Sequence, residues 1–481
     1  MDIRALMSQV PEMDRFLTLD ELNADLGRLA CDHPEVTSIR RVGTSKLGEP
    51  IPMLSIGSGA RNAFLFACPH PNEPIGAMLV HHLAHLLCRD AALRDRFDYS
   101  WHLIGCVDPD GTRLNEGWFA GPFTPRNYAR HFYRPASDQQ VEWTFPIAYK
   151  KHYFDRVLPE TQMLMRVIDE LKPELMASLH NAGFGGVYYY ISRAAEPLYE
   201  TLHAIPAWEG LPLQLGEAEV PYAQPFAPAI FPTIRVAAGY DYLEGNGVDP
   251  ATSALAGASS FEYSEPYDTF SIITEVAYYD DPRVNDQTPS SVLRRDAILQ
   301  GLDLADEGGK TLRAAFDAVA KDLKGRSPFQ HSVDWWADLG KSREAERNWA
   351  KTSSETERPA TVAELFSSIQ QTQFYRLLGL GMLLRMLEGE IAIGNGTPAI
   401  RTQLAESTRV FEAWADRLEN ALQMRALPIR KLVAVQLGAV LAAAEYLAGQ
   451  RGDAPATPNS RSNGRSQNRR ERRERNDRDR S

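Results

Sequence analysis

The run AFLFAC at residues 63–68 is almost wholly apolar and stops abruptly in PHPNEPIG. A strand with one wet face would alternate. A continuous apolar run of this length fits a central strand covered on both faces, as in an α/β protein. Neighbouring segments agree. IPMLSIG (51–57), SWHLIGCV (100–107), ELMASLH (174–180), YYYIS (188–192) and SIITEVAYY (271–279) all read as strands. Helical patterns fall between them, at 18–33 behind a Thr18/Glu21 capping pair, at 74–88 and at 159–171. Strands alternating with helices over the first 290 residues predict an α/β domain with a mixed or mostly parallel sheet.

Beyond residue 290 the strand signals fade. Helical periodicity dominates 291–323, 361–389, 400–426 and 429–449, which predicts an α-helical C-terminal region over 291–450. The polar stretch 324–360, with Trp335, Trp336 and Trp349, reads as a linker or irregular connection. Residues 451–481 hold ten Arg and five Asp/Glu with almost no apolar side chain, so they are expected to be a disordered tail. That tail carries +5, which leaves −16 on the other 450 residues of a chain whose net charge is −11. An acidic body argues against nucleic acid as the main partner. No apolar run approaches the ~20 residues that cross a bilayer, and MDIRALMSQVPEMDR has no apolar leader, so neither membrane nor secretion is expected. Cys31, Cys68, Cys88 and Cys106 form no CxxC pair and read as reduced thiols of a cytoplasmic protein.

The chemistry concentrates where strands end. His70 and Glu73 stand three apart in CPHPNEPIG (68–76), at a strand-to-helix junction. An imidazole and a carboxylate so placed can converge on one cation, and zinc accepts N and O donors at ~2.0–2.2 Å. His180 ends another strand-like run in SLHNAGFGG (178–186), where ligands of α/β sheets bind. Asn181 beside it is a candidate substrate contact, and Gly183, Gly185 and Gly186 favour close backbone approach. Glu275 interrupts the apolar run SIITEVAYYDDP (271–282), and a carboxylate there is costly to bury without a partner. HHLAH (81–85) puts His81 and His85 on one helix face; with no third ligand evident it reads as a solvated face.

HxxE, then a histidine about a hundred residues on, then a glutamate on a late strand resembles the zinc carboxypeptidases related to carboxypeptidase A. GTSKLGEPI (43–51) is similar to that family's entry hairpin, and DPDG (108–111) to its Asn-Pro-Asp-Gly turn. The resemblance covers residues 14–290. It implies a mixed, roughly eight-stranded sheet with helices on both faces in a catalytic domain over 1–290. It implies one zinc per chain held by His70, Glu73 and His180, with Glu275 as general base. An arginine should stabilise the oxyanion; Arg113, in TRLNEG, is favoured, with Arg126 and Arg130 of PRNYARHFYRP as competitors and candidate substrate contacts. The implied activity is that of a zinc metallocarboxypeptidase or amide hydrolase on a small peptide or amino-acid conjugate.

One departure qualifies this. Where the family carries Val-Asp-x-Asn-Arg-Asn-Phe, this chain has QVEWTFP (140–146). Glu142 can replace the Asp and orient a zinc histidine. The Asn-Arg pair that grips a terminal carboxylate is absent, with Trp143 and Thr144 nearby. Tyr240, Tyr242 and Tyr263 are candidates for the family's mobile tyrosine. The alternative is an amino-acid deacylase of the aspartoacylase and succinylglutamate desuccinylase type, although the long helical C-terminal region does not match the small β-rich extension of those enzymes. A binding protein that has lost catalysis is disfavoured by the presence of His70, Glu73, His180 and Glu275.

Overall fold

The structure is a computed structural model that describes residues 1–253 and 255–453. Eight strands form one mixed sheet: β1 (Thr37–Thr44), β2 (Pro50–Ile56), β3 (Arg61–Ala67), β4 (Tyr99–Ile104), β5 (Leu175–Leu179), β6 (Tyr188–Ile191), β7 (Ile230–Pro232) and β8 (Phe270–Glu275). Their order is β1-β2-β4-β3-β5-β8-β6-β7. The centre is parallel: β4 with β3, β3 with β5, and β5 with β8. The flanks introduce antiparallel pairs, β1 with β2, β2 with β4 and β8 with β6. β3 is the strand read from AFLFAC, and Ala63 to Cys68 are fully buried. Its alternate side chains enter two different cores: Phe64 and Phe66 pack with Met163, Leu164 and Ile168 of the Pro159–Leu171 helix. Leu65 and Ala67 face the other layer, with Leu79 and Leu83 of the Ile75–Arg89 helix. Period-two alternation therefore places an apolar side chain on both faces, and from Ala63 onward no residue of the strand meets water.

The Leu19–Asp32 helix begins with the expected capping box, Thr18 and Glu21 satisfying each other's backbone N–H groups. The helices after residue 290 contribute to the sheet's own core. Leu432, Val433 and Leu437 of the Ile429–Asp453 helix belong to the same buried cluster as Leu65, Leu79 and Leu202. By length and composition this helix could cross a bilayer, which corrects the expectation that no such run exists. In the fold, 78% of its apolar window is buried, as in the core helix of a globular protein.

The stretch 324–360 is not a loose connection. It contains the helices Pro328–Ala337 and Gly340–Thr352. Trp336 packs edge-on against Phe132, and Arg294 lies over the Trp349 ring, so the tryptophans that made the stretch look irregular anchor it. A short second sheet pairs Ala277–Asp280 with Ala182–Phe184 and with Arg425–Ala426, fastening the helical region to the loops that follow β5 and β8. The final helix runs on to Asp453. Arg451 donates to Glu174 and lies over the Tyr99 ring. The rest of the arginine-rich tail, residues 454–481, lies outside the described residues.

Candidate metal centre

The three inner parallel strands end side by side, and the chemistry sits on those ends. In register, Phe66 of β3 is opposite Ser178 of β5, and Ile273 of β8 is opposite the same serine. The chain leaving β3 turns at Cys68, in a left-handed backbone conformation with φ 54°, and delivers His70 and Glu73 before the Ile75–Arg89 helix begins. His180 follows β5 at once, and Glu275 is the last residue of β8. All four are buried.

Three donors converge. His70 Nδ1 lies 3.1 Å from both Glu73 oxygens. His180 Nδ1 lies 3.0 Å from Glu73 Oε2 and 3.1 Å from His70 Nδ1. Two ring nitrogens facing each other across a shared carboxylate cannot both carry protons comfortably. A cation among them would use every lone pair. Donors spaced about 3 Å apart suit a metal at ~2.0–2.2 Å, so the donor set fits zinc.

The outer contacts fix the ring of His180. Its Nε2 lies 2.9 Å from Ser178 Oγ, which in turn donates to Glu142 Oε2 at 3.0 Å. Glu142 Oε1 accepts from the Ser260 backbone N–H at 3.0 Å and the Ser260 hydroxyl at 2.7 Å. With Nε2 engaged as the N–H, Nδ1 is left as the metal-facing lone pair. Burial alone would lower the pKa of His180, but hydrogen bonds to Glu142 and Glu73 outweigh it and raise it to about 10. Burial and the charge of Arg134 hold His70 down at about 4, in the neutral form a metal needs. Burial also works against ionised Glu73, yet the two histidines and Arg134 more than offset it and keep the carboxyl well below its usual range. Glu275 is the contrast. Burial, then the charge of Glu73, push its pKa well above the usual value, and its Oε2 has no hydrogen-bond partner.

His70, Glu73, Arg134 and Glu275 line a cavity of about 630 Å³. Its opposite wall comes from the helical region and includes Trp335, Trp336, Arg343, Glu346, Gln371 and Phe374. Ser367–Gln371 is a π-helical turn between two α-helices, and Ser367, Ser368 and Gln371 of that turn face the cavity. The glycines after His180 allow the close approach expected of them: a Cβ on Gly183 would stand 2.5 Å from the Phe374 ring.

Asn181 also lines the cavity, and its Oδ1 accepts from the Ile75 N–H at the start of the next helix. The three candidate arginines lie elsewhere. Arg113 binds Glu49 and Asp20, both at 2.8 Å. Arg126 is held by Glu412, Asp416 and Glu419, which share one face of the Pro398–Ala421 helix, and Arg130 by Glu388. None of them lines the cavity. The reason is local. Arg126 and Arg130 are one helical turn apart on Pro125–His131 and face the C-terminal helices, a partner the early sequence does not announce. The helix stops at His131, Phe132 is extended, and the chain turns Arg134 into the cavity. Arg134 Nη1 donates to Glu73 Oε1 at 3.0 Å. It sits in the same PRNYARHFYRP string, and only the helix end distinguishes it.

Of the two residues at the missing clamp, Trp143 lines the cavity, whereas Thr144 is buried against Gln140 and Thr161. Tyr240, Tyr242 and Tyr263 are not among the lining residues; Tyr128 and Tyr188 are.

Residues 22–207 match the family model described as zinc carboxypeptidase. That span contains His70, Glu73, Glu142 and His180, and leaves Glu275 outside. Similar solved structures include carboxypeptidase A from Helicoverpa armigera (12% identity, 73% of this chain and 79% of that one, TM-score 0.38). The metallo-carboxypeptidase from Burkholderia cenocepacia is 13% identical over 68% of each chain, with a TM-score of 0.33. The murein-tripeptide amidase from Escherichia coli O157 is 17% identical over 50% of this chain and 83% of that one, with a TM-score of 0.26. No curated protein matches the chain. The span 22–207 that matches the zinc carboxypeptidase family model contains the whole His70, Glu73 and His180 donor set.

Proposed function

We propose that this protein is a zinc-dependent metallocarboxypeptidase or amidase that hydrolyses one amide bond of a small peptide or amino-acid conjugate. The observation that carries this reading is the Oε2 of Glu275, buried without a hydrogen-bond partner, in the cavity that His70 and Glu73 of the converged donor set also line. When bound, the ion supplies carbonyl polarisation and a water whose pKa is lowered toward ~7. Glu275 takes the water proton and returns it to the leaving amine. Its buried, partner-free carboxylate has no competing hydrogen bond to break, and a cation nearby favours its ionised form. Arg134 aims a guanidinium into the cavity beside Glu73 and offers charge-assisted donors to the developing oxyanion.

A cavity closed on one side by helices favours a small substrate over a folded protein. The same helical wall supports this reading over the deacylase alternative, whose extension is β-rich. Trp143 at the clamp position supports a substrate that presents something other than a bare terminal carboxylate there. The four unpaired cysteines suit a reducing compartment, and we place the enzyme in the cytoplasm on that ground.

The test is a panel of short peptides and amino-acid conjugates, each with a free or blocked C-terminus, incubated with chelator-stripped and zinc-reloaded protein. Hydrolysis should appear only after zinc is restored. Reloaded protein that binds zinc and cleaves nothing in the panel would overturn the assignment to small amides.

A further inference from the structure

Away from the cavity, a second set of donors meets between two helices. His81 and His85 stand one turn apart on the Ile75–Arg89 helix, and their rings lie 4.8 Å apart between centroids. Asp25 comes from the facing Leu19–Asp32 helix. A single oxygen, Asp25 Oδ2, is approached by His81 Nε2 at 2.8 Å and by His85 Nε2 at 2.6 Å. The other oxygen, Oδ1, accepts from Arg28 at 2.7 Å, so the guanidinium holds the carboxylate without taking the oxygen that the histidines share. One ligand atom from each of the three residues lies within 4.8 Å of the others. None of the three lines the catalytic cavity. The third donor that the HHLAH motif lacked in sequence is therefore supplied across the helix interface.

Two imidazoles and one carboxylate are ligands for a borderline divalent ion such as zinc, cobalt or nickel. Placing an ion at ~2.0–2.2 Å from each donor in tetrahedral geometry opens the histidine–carboxylate contacts of 2.8 and 2.6 Å by somewhat under about 1 Å. Side-chain exposures of 24% to 33% leave room for water to complete the coordination. We propose that Asp25, His81 and His85 form a second divalent transition-metal site, separate from the catalytic centre, that clips the Leu19–Asp32 helix to the Ile75–Arg89 helix.

The test uses the full-length chain, stripped with chelator and dialysed against micromolar zinc chloride, with bound metal counted by mass spectrometry. Wild-type protein should hold two zinc ions. His81→Ala/His85→Ala should hold one and, with zinc saturating, keep the wild-type rate of hydrolysis. His70→Ala/His180→Ala should also hold one. Zinc should still raise the Tm of that variant, and adding Asp25→Ala should remove the rise. One zinc in the wild type with no loss on His81→Ala/His85→Ala would overturn the proposal. So would a zinc-insensitive Tm in the His70→Ala/His180→Ala background. Both readouts are independent of whether the cavity hydrolyses amides.

Discussion

Gln436 donates its side-chain amide to the backbone carbonyl of His180 at 2.6 Å, across 256 residues of chain. The same amide reaches the Thr274 carbonyl, at 3.3 Å, one residue before Glu275. One fully buried glutamine on the last helix therefore ties together the ends of β5 and β8, the two strands that lead to a candidate metal ligand and the candidate base. Gln436→Ala should cost about 2–3 kcal/mol, from two carbonyls left unpaired and a small void. Urea unfolding of metal-free protein measures this. A loss under about 0.5 kcal/mol would show that the tie is incidental.

Glu275→Gln should keep the metal and lose hydrolysis. The amide preserves shape and cannot accept the water proton, so kcat should fall about 10²–10⁴-fold. Bound zinc, counted beside the assay, separates lost chemistry from lost metal. An active variant with full zinc would remove Glu275 from the mechanism.

The arginines can be told apart by rate. Arg134→Ala should lower kcat about 10²–10³-fold if its guanidinium meets the oxyanion. Arg113→Ala should leave kcat within about twofold, since it gives up solvent-screened ion pairs outside the cavity. The opposite ranking would return the oxyanion role to Arg113.

Ser178→Ala and Glu142→Gln test the orientation of His180. Neither residue is a metal ligand. Each should weaken zinc binding by about 10–100-fold, read by competition with a chromophoric chelator. Catalysis at saturating zinc should recover substantially, which a directly reacting group would not allow.

Asp108 gives a pH prediction. Its carboxylate caps the turn at Gly111, and burial, with the nearby charges of Glu160 and Asp110, raises its pKa from 3.8 to about 7. A folded pKa above the unfolded one contributes stability that is fully present below pH ~4 and is lost as pH rises through ~7. Asp108→Asn keeps the Oδ1 acceptor and removes the titration. It should match the wild type near pH 4 and exceed it by about 2–4 kcal/mol at pH 8. Chemical denaturation at the two pH values checks this, and a constant difference between them would refute it.

The sequence by itself determined the inner strand, the strand-end position of the ligands and their chemistry. AFLFAC is apolar on both faces, and polar donors directly after such a strand can only lie at its rim. Glu142 was legible only through the resemblance, as the carboxylate standing where that family carries an Asp. Tertiary structure alone decided which arginine serves the cavity. Arg126, Arg130 and Arg134 share one short string, and a continued helix would have aligned all three; the turn at Phe132 separates them. It also decided that the helices after residue 290 wall the cavity and pack on the sheet, and that Asp25 completes the His81 and His85 pair. Local pattern reports the period of a strand or a helix. It carries no information about which distant element fills the other side of an apolar face or the remaining side of a donor cluster, and those meetings are fixed only when the chain closes its core.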